Sequence, residues 1–394
     1  MMKIEVPGFI AGAIAAGLKK NKKKDLGVVF SEVPASAAAV FTTNQVQAAP
    51  VLLDKERIKS GRAQAIVANS GNANACVGPR RLHDAKATAR AAAQALGIGE
   101  ELVLVASTGV IGQPLDTAAI EAALPTLSGQ LHSSGLLEVA EAIMTTDTFP
   151  KAVSRQTLVG DRPFTVAAVA KGAGMIRPDM ATMLCFVCTD VGATPEVLSE
   201  ALNRAVAESF NAITVDGDTS TNDTVLVLAN GLAEMHLAEG PCAEAFQEVL
   251  NEVLSTLALQ IVRDGEGATK LVSLEVKGAS SEGQARQVAY TVANSPLVKT
   301  ALFGEDANWG RIMAAIGRAG VPIDPEGIDI FFDAVRLVKN GQGCGPKAEA
   351  AATQILKTDR FTMTIDLRLG RQGATVHTCD LSTDYVKINA AYRS

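Results

Sequence analysis

Short apolar runs alternate along this chain with Ala-rich stretches of helical period. "AQAIVANS" (Ala63–Ser70) and "ELVLVASTG" (Glu101–Gly109) read as buried strands that end in small polar residues. The segment between them, Gly78–Gly97, reads as a helix with Pro near its start and Gly just past its end. Leu115–Leu131 and Gly135–Met144 predict two further helices, and Thr194–Phe210 predicts a capped amphipathic one. "TVLVLAN" (Thr224–Asn230) is a strand, and Cys242–Gly265 is a helix that ends at Asp264-Gly265. From about residue 281 the pattern changes. Ala285–Ser295, Ile328–Gly341 and Arg360–Gly370 read as short alternating strands with hairpin-type turns, which suggests a smaller α+β unit.

The stretch "KGAGMIRPDMATMLCFVCTD", Lys171–Asp190, joins two of these regimes. Met183–Cys188 is short, continuous and β-prone, and so predicts a buried strand. Pro178 and the preceding glycines forbid a helix ahead of it. Thr182 therefore stands where a turn becomes a core strand. Cys185 and Cys188 form a C-x-x-C, but an offset of three on a strand sends them to opposite faces, so they read as core cysteines.

With 394 residues and 20% charged side chains, the composition is that of an ordinary soluble globular protein. A net charge of −6 argues against nucleic acid as the main partner. The basic run Lys19–Lys24 reads as a solvated turn. The glycine-broken N-terminal apolar stretch is too short to span a bilayer and lacks a basic leader, so a cytoplasmic protein without membrane attachment is expected. The six cysteines lack framework spacing and read as reduced thiols.

The four histidines show neither H-E-x-x-H nor metal spacing with cysteine, so no metal and no cofactor is expected. There is no G-x-S-x-G elbow and no phosphate-binding P-loop. Polar, Gly-rich loops remain: Asn69–Cys76, Ser107–Gly112, Met144–Lys151, Lys171–Ile176, Val215–Asp223, Asp264–Lys270 and Phe303–Arg311. Each alone can be a turn; several at the ends of buried strands are where an α/β-type site is assembled. A reaction without histidine or metal is open to an N-terminal nucleophile. Were the chain cut before Thr182, that residue would carry a free α-amine. The ordinary pKa of such an amine is about 7.7–8.0, so it can act as base beside its own hydroxyl.

The motifs "KGAGMIRPDMATML", "STGVIG", "MTTDT", "VDGDTSTNDT", "DGEGATK", "NSPLVKTALFGEDANWGRI" and "DYVKINAAYRS" together resemble the ornithine acetyltransferase family, the glutamate N-acetyltransferases of arginine biosynthesis. The resemblance runs from "VPGFIAGAIAAGLKK" and "FTTNQVQAAP" to the final serine. It implies an α/β (α+β) fold: a four-layer αββα sandwich over residues 1–280, like that of self-cleaving aminopeptidases, and a smaller α+β domain over 281–394. It also implies autoproteolysis at Ala181-Thr182 into an α chain (1–181) and a β chain (182–394), assembled as an α2β2 heterotetramer. The acetyl group then passes from N-acetyl-L-ornithine to L-glutamate in a ping-pong reaction through acetyl-Thr182; many members also accept acetyl-CoA. By the same resemblance Thr108 and Gly109 stabilise the oxyanion, and Thr145, Lys171, Thr182, Glu266, Asn389 and Ser394 contact substrate. Lys171 and Thr145 suit the α-carboxylate common to both substrates, and Glu266 suits the ornithine ammonium. Ala391 stands where family members often have an acidic residue. The competing expectation is a self-processing amidohydrolase or aminopeptidase of the same fold, in which water takes the acyl group.

Overall fold

The computed structural model describes residues 4–177, 183–238 and 240–391. In chain order the first part holds β1 (Phe9–Ile14), β2 (Leu26–Phe41), α1 (Ala49–Arg57), β3 (Arg62–Asn72), α2 (Arg80–Leu96), β4 (Val103–Val110), α3 (Thr117–Ser128) and α4 (Leu136–Ile143). Next come β5 (Lys151–Val159), β6 (Arg162–Lys171), β7 (Leu184–Thr189), α5 (Pro195–Glu208), β8 (Thr224–Ala229) and α6 (Pro241–Arg263). The last part holds β9 (Leu271–Ala279), α7 (Glu282–Ala293), α8 (Pro296–Phe303), α9 (Trp309–Gly317), β10 (Asp329–Phe332), β11 (Val335–Lys339) and β12 (Gln342–Gly343). It closes with α10 (Pro346–Leu356), β13 (Arg360–Asp366), β14 (Gln372–Cys379) and α11 (Thr383–Ala391).

Among the described residues an eight-stranded sheet runs β4-β3-β2-β8-β7-β6-β5, with β1 also paired to β2. The long strand β2 serves both halves. Leu26–Phe30 pairs with β3, the register then shifts, and Ser36–Phe41 pairs with β8. The side chains explain the resulting layers. Val28, Ala65, Val67, Val103 and Val105 pack outward on the buried faces of α1, α2 and α3. Residues of opposite parity, such as Ile66, Ala68, Leu104 and Ala106, share a core with Leu184, Phe186, Leu226 and Leu228 from the other half, and α4 packs into it. Cys185, Val187, Val225 and Val227 point the other way, onto α5 and α6. Period-two alternation on both halves thus yields helix, sheet, sheet and helix in four layers. Cys185 and Cys188 fall in different cores on opposite faces of β7, and burial pushes both thiols far up.

A second, six-stranded sheet runs β12-β11-β10-β13-β9-β14 and is backed by its own core. Its strand β9 precedes residue 281, where the change of pattern is seen in the sequence. The hairpin β10-β11 and the strand β13 form where alternation predicts them. The strand expected over Ala285–Ser295 does not form; α7 lies there instead. Val288, Tyr290 and Val292 alternate, but Ala285, Val288, Ala289 and Val292 are buried at helical spacing, and the Ser281 side chain caps the helix by accepting from Gln284 N–H. No helix among the described residues is long and apolar enough to cross a membrane.

Candidate active site

The central strands of the large sheet end at one edge, in register. Phe41 pairs with Thr224, Thr224 with Leu184 and Leu184 with Lys171. One step beyond that row stand Thr42, Asp223, Met183 and Gly172. Such a row of strand ends, where backbone leaves the ladder and polar loops begin, is a place where side chains can converge.

From the opposite half-sheet β4 brings Thr108 to the same place. Lys171 Nζ donates to Thr108 Oγ1 at 3.4 Å, and both side chains are buried. A hydroxyl that accepts from an ammonium still holds its own proton to donate. Gly109 follows at φ +129°, a region that side-chain-bearing residues rarely adopt, and a Cβ there would stand 2.4 Å from the Gly71 carbonyl carbon. The turn is braced from below. Asn222 Nδ2 donates to the Ala73 and Ser107 carbonyls at 2.7 and 2.8 Å, and Ser107 Oγ donates to Asn69 Oδ1 at 2.6 Å.

The loop after α4 supplies Thr145, whose N–H donates to Asp147 Oδ2 at 2.9 Å. Asp147 Oδ1 accepts from Gly172 N–H at 2.7 Å, joining this loop to the Lys171 turn. Behind them lies a buried ion triad, in which Lys151 Nζ sits 2.8 Å from Asp147 and 2.5 Å from Asp264. Burial alone would raise the Asp147 carboxyl, but the Lys171 and Lys151 charges overcome it and hold it at about 2. Burial depresses Lys171, with Asp147 opposing and Lys151 adding to the depression.

Glu266 enters from the loop after α6. Its N–H donates to Ala173 O at 2.9 Å, and its carboxylate accepts from Asn389 Nδ2 at 2.7 Å. Gly174 leaves room for it, since a Cβ there would meet the Glu266 carboxyl at 2.5 Å. The helix α11 that carries Asn389 also carries Tyr385, whose hydroxyl donates to Asp216 at 3.4 Å. Asp216 in turn accepts from Met175 and Ile176 N–H at 2.7 and 2.9 Å. Burial lifts its carboxyl to about 6 against the pull of those bonds. The C-terminal helix is therefore tied to both sides of the Lys171–Ile176 turn.

The arrangement brings Thr108, Gly109, Thr145 and Lys171 together around one edge, with Glu266 and Asn389 as a hydrogen-bonded pair beside the turn. Ala181, Thr182 and Ser394 lie outside the described residues. Asp147, Lys151, Asp264 and Asp223 join the site from loops that stand out in the sequence only by their polarity, with nothing to single out these four side chains. Lys19 departs from the solvated turn expected of its run. Lys20, Lys22 and Lys23 are exposed, but Lys19 Nζ donates to Lys24 O and to Ala142 O at the end of α4, at 3.2 and 3.1 Å. Burial lowers it to about 8, with Asp25 and Asp147 opposing.

The model of the ArgJ family matches residues 10–394. The chain is 53% identical over 393 residues to the arginine biosynthesis bifunctional protein ArgJ of Geobacter sulfurreducens, covering 99% of this chain and 100% of that one. It is 54% identical over 394 residues to the protein of the same name from Syntrophotalea carbinolica, again covering 99% and 100%. A crystal structure of the arginine biosynthesis bifunctional protein ArgJ of Bacillus halodurans aligns at 44% identity and a TM-score of 0.50, over 52% of this chain and 98% of that one.

Proposed function

The chain belongs to the ArgJ family, and from that premise we propose that it is an acetyltransferase of arginine biosynthesis, moving acetyl from N-acetyl-L-ornithine to L-glutamate. The observation that carries the reading is the Lys171–Thr108 contact at converging strand ends, one residue row from Met183. In this reading the precursor cuts itself at Ala181-Thr182, the products 1–181 and 182–394 stay together, and two such pairs form the working α2β2 unit in the cytoplasm.

Thr182 attacks the acetyl carbonyl, its own α-amine taking the hydroxyl proton. Thr108 and Gly109 stabilise the oxyanion that forms. The Thr108 hydroxyl, polarised by the Lys171 ammonium, is preset to donate before charge develops, and such donors are worth about 3–4 kcal/mol each. The proton held by the amine leaves with ornithine. Glutamate then takes the acetyl group by the reverse route. Both substrates present an α-carboxylate, met by Lys171 and Thr145, and Glu266 faces the ornithine ammonium. Asn389, which donates to Glu266, and Ser394 also contact substrate. Acetyl-CoA serves as a second acetyl donor to the same threonine.

The test is intact mass measurement. Purified protein shows two fragments, the second beginning at Thr182; N-acetylornithine alone adds one acetyl mass to that fragment, and glutamate removes it. A fully active chain that is never cut, or an acetyl adduct that never forms on rapid quenching, overturns the proposal.

A further inference from the structure

Asp223 is fully buried at the edge where β8 begins. Its Oδ1 accepts the Met183 N–H at 3.0 Å, and Thr224 N–H donates to Met183 O at 3.1 Å, so residues 223 and 224 grip Met183 from both sides. Its Oδ2 has no hydrogen-bond partner among the described residues. The neighbouring Thr42 hydroxyl has a single proton, which goes to Ser220 O at 2.7 Å, and the Thr42 N–H goes to the Asp223 carbonyl at 3.0 Å. An ionised carboxylate in this position would keep an unpaired charged oxygen out of water, which is strongly unfavourable. Burial accordingly drives the carboxyl well above its ordinary range, against the Met183 N–H bond and the Lys171 charge. The Met183 N–H, the Lys171 charge and the Thr42 hydroxyl all oppose that rise without cancelling it, so the site favours the protonated carboxyl, and its Oδ2 has no hydrogen-bond partner among the described residues.

Met183 N is bonded to the carbonyl carbon of residue 182, so the nitrogen of Thr182 is three bonds from the atom that Asp223 already holds. We propose that Asp223 is the proton donor for self-cleavage, delivering its Oδ2 proton to the Thr182 nitrogen as the bond to the Ala181 carbonyl carbon breaks. This rests on the reading of Thr182 as nucleophile. Thr182 Oγ forms a bond to the Ala181 carbonyl carbon, and the electron pair of the C–N bond returns to nitrogen. Asp223 protonates that nitrogen, and the carboxylate so formed takes the proton released by Oγ. Asp223 ends neutral, Thr182 carries a free amine, and the resulting ester is hydrolysed by water to the Ala181 carboxylate and the Thr182 hydroxyl, the remaining water proton going to the Thr182 amine.

A residue that only pinned Met183 would do as well with an amide, because an Asn Oδ1 accepts the same N–H. Asp223→Asn is therefore the discriminating variant. The full chain is made by cell-free translation, and the appearance of the fragment beginning at Thr182 is followed by denaturing gel and intact mass across pH. The expected result is that Asp223→Asn slows cutting by about 10²-fold or more. Wild-type cutting falls as pH rises through the raised pKa of Asp223, and the Asn variant lacks that limb. The charged and polar groups facing the carboxyl are Lys171 from β6, the Met183 N–H and the Thr42 hydroxyl, and Lys171 itself faces Asp147, Lys151 and Glu266. All of these remain in the variant, so a limb lost with Asp223 belongs to Asp223. Cutting of Asp223→Asn at the wild-type rate overturns the proposal while leaving Thr182 in place. A wild-type chain that never cuts overturns both. Should the variant fail to fold, wild-type cutting that shows neither the falling limb nor a solvent deuterium isotope effect overturns it.

Discussion

Replacing Lys151 by Met removes one charge and nearly preserves the side-chain volume, so it isolates the electrostatics of the buried triad. The ammonium is completely shielded from solvent, 2.8 Å from Asp147 and 2.5 Å from Asp264, and lies 4.8 Å from the centre of the Phe149 ring. Lys151→Met takes from Asp264 its ion-pair partner and leaves Asp147 with the Lys171 charge alone. Breaking a buried pair in this way costs about 3–5 kcal/mol, and at about 2–4 °C per kcal/mol for a large domain the Tm should drop by roughly 6–20 °C near neutral pH. Acid separates this cause from a packing defect. The folded Asp147 carboxyl sits at about 2 against an ordinary value of 3.8, so its contribution to wild-type stability is present above about pH 4 and fades as pH falls through 2. In the variant Asp147 has lost one of its two cations and protonates at higher pH, and a neutral carboxyl is far cheaper to bury. The Tm gap between wild type and variant should therefore be wide at pH 7.5 and clearly narrower at pH 4, by scanning calorimetry in matched ionic strength. An equal gap at both values, or a gap at neutral pH below about 2–4 °C, the equivalent of about 1 kcal/mol, would refute the electrostatic account.

Two further outcomes concern the turn at Thr108 and Gly109, the proposed oxyanion donors. Gly109→Ala places a Cβ 2.4 Å from Gly71 C and 2.6 Å from Asn72 N, both backbone atoms, so the strand ends must part and kcat should fall by about 10²-fold or more; near-normal turnover would remove Gly109 from the site. Thr108→Val keeps the shape and deletes the hydroxyl that Lys171 polarises, so kcat should drop by about 10²–10³-fold with little change in KM, and a purely KM effect would mean that Thr108 binds rather than stabilises.

What can be read in the sequence follows from how locally each feature is determined. The strand after Thr182 and the opposite faces of Cys185 and Cys188 need only a continuous apolar run and a period of two, and both appear in β7. The segment that forms α7 carries both periods at once, and the Ser281 cap that separates them stands ahead of the alternating window. The ion triad lies beyond any such reading. Lys151 and Asp147 are four residues apart, but Asp264 comes from 113 residues further on, and no periodicity says that these two loops meet. Lys19 is hidden for the opposite reason: its neighbours are also lysines, and only the end of α4 singles it out.

Resemblance to a family marks the residues proposed to touch substrate, and it leaves unmarked the charges around them. Lys171 can meet a carboxylate only while it keeps its proton, and it lies where burial acts to remove that proton. Asp147 is the strongest force keeping it charged. Asp147 itself stays ionised because Lys171 and Lys151 hold it low against its own burial. Each charge in the group depends on the next, which makes the protonation of Lys171 a property of the cluster rather than of one residue. For the same reason Asp223, within reach of the Lys171 charge but with one carboxylate oxygen unpartnered among the described residues, is driven by burial well above the ordinary carboxylate range.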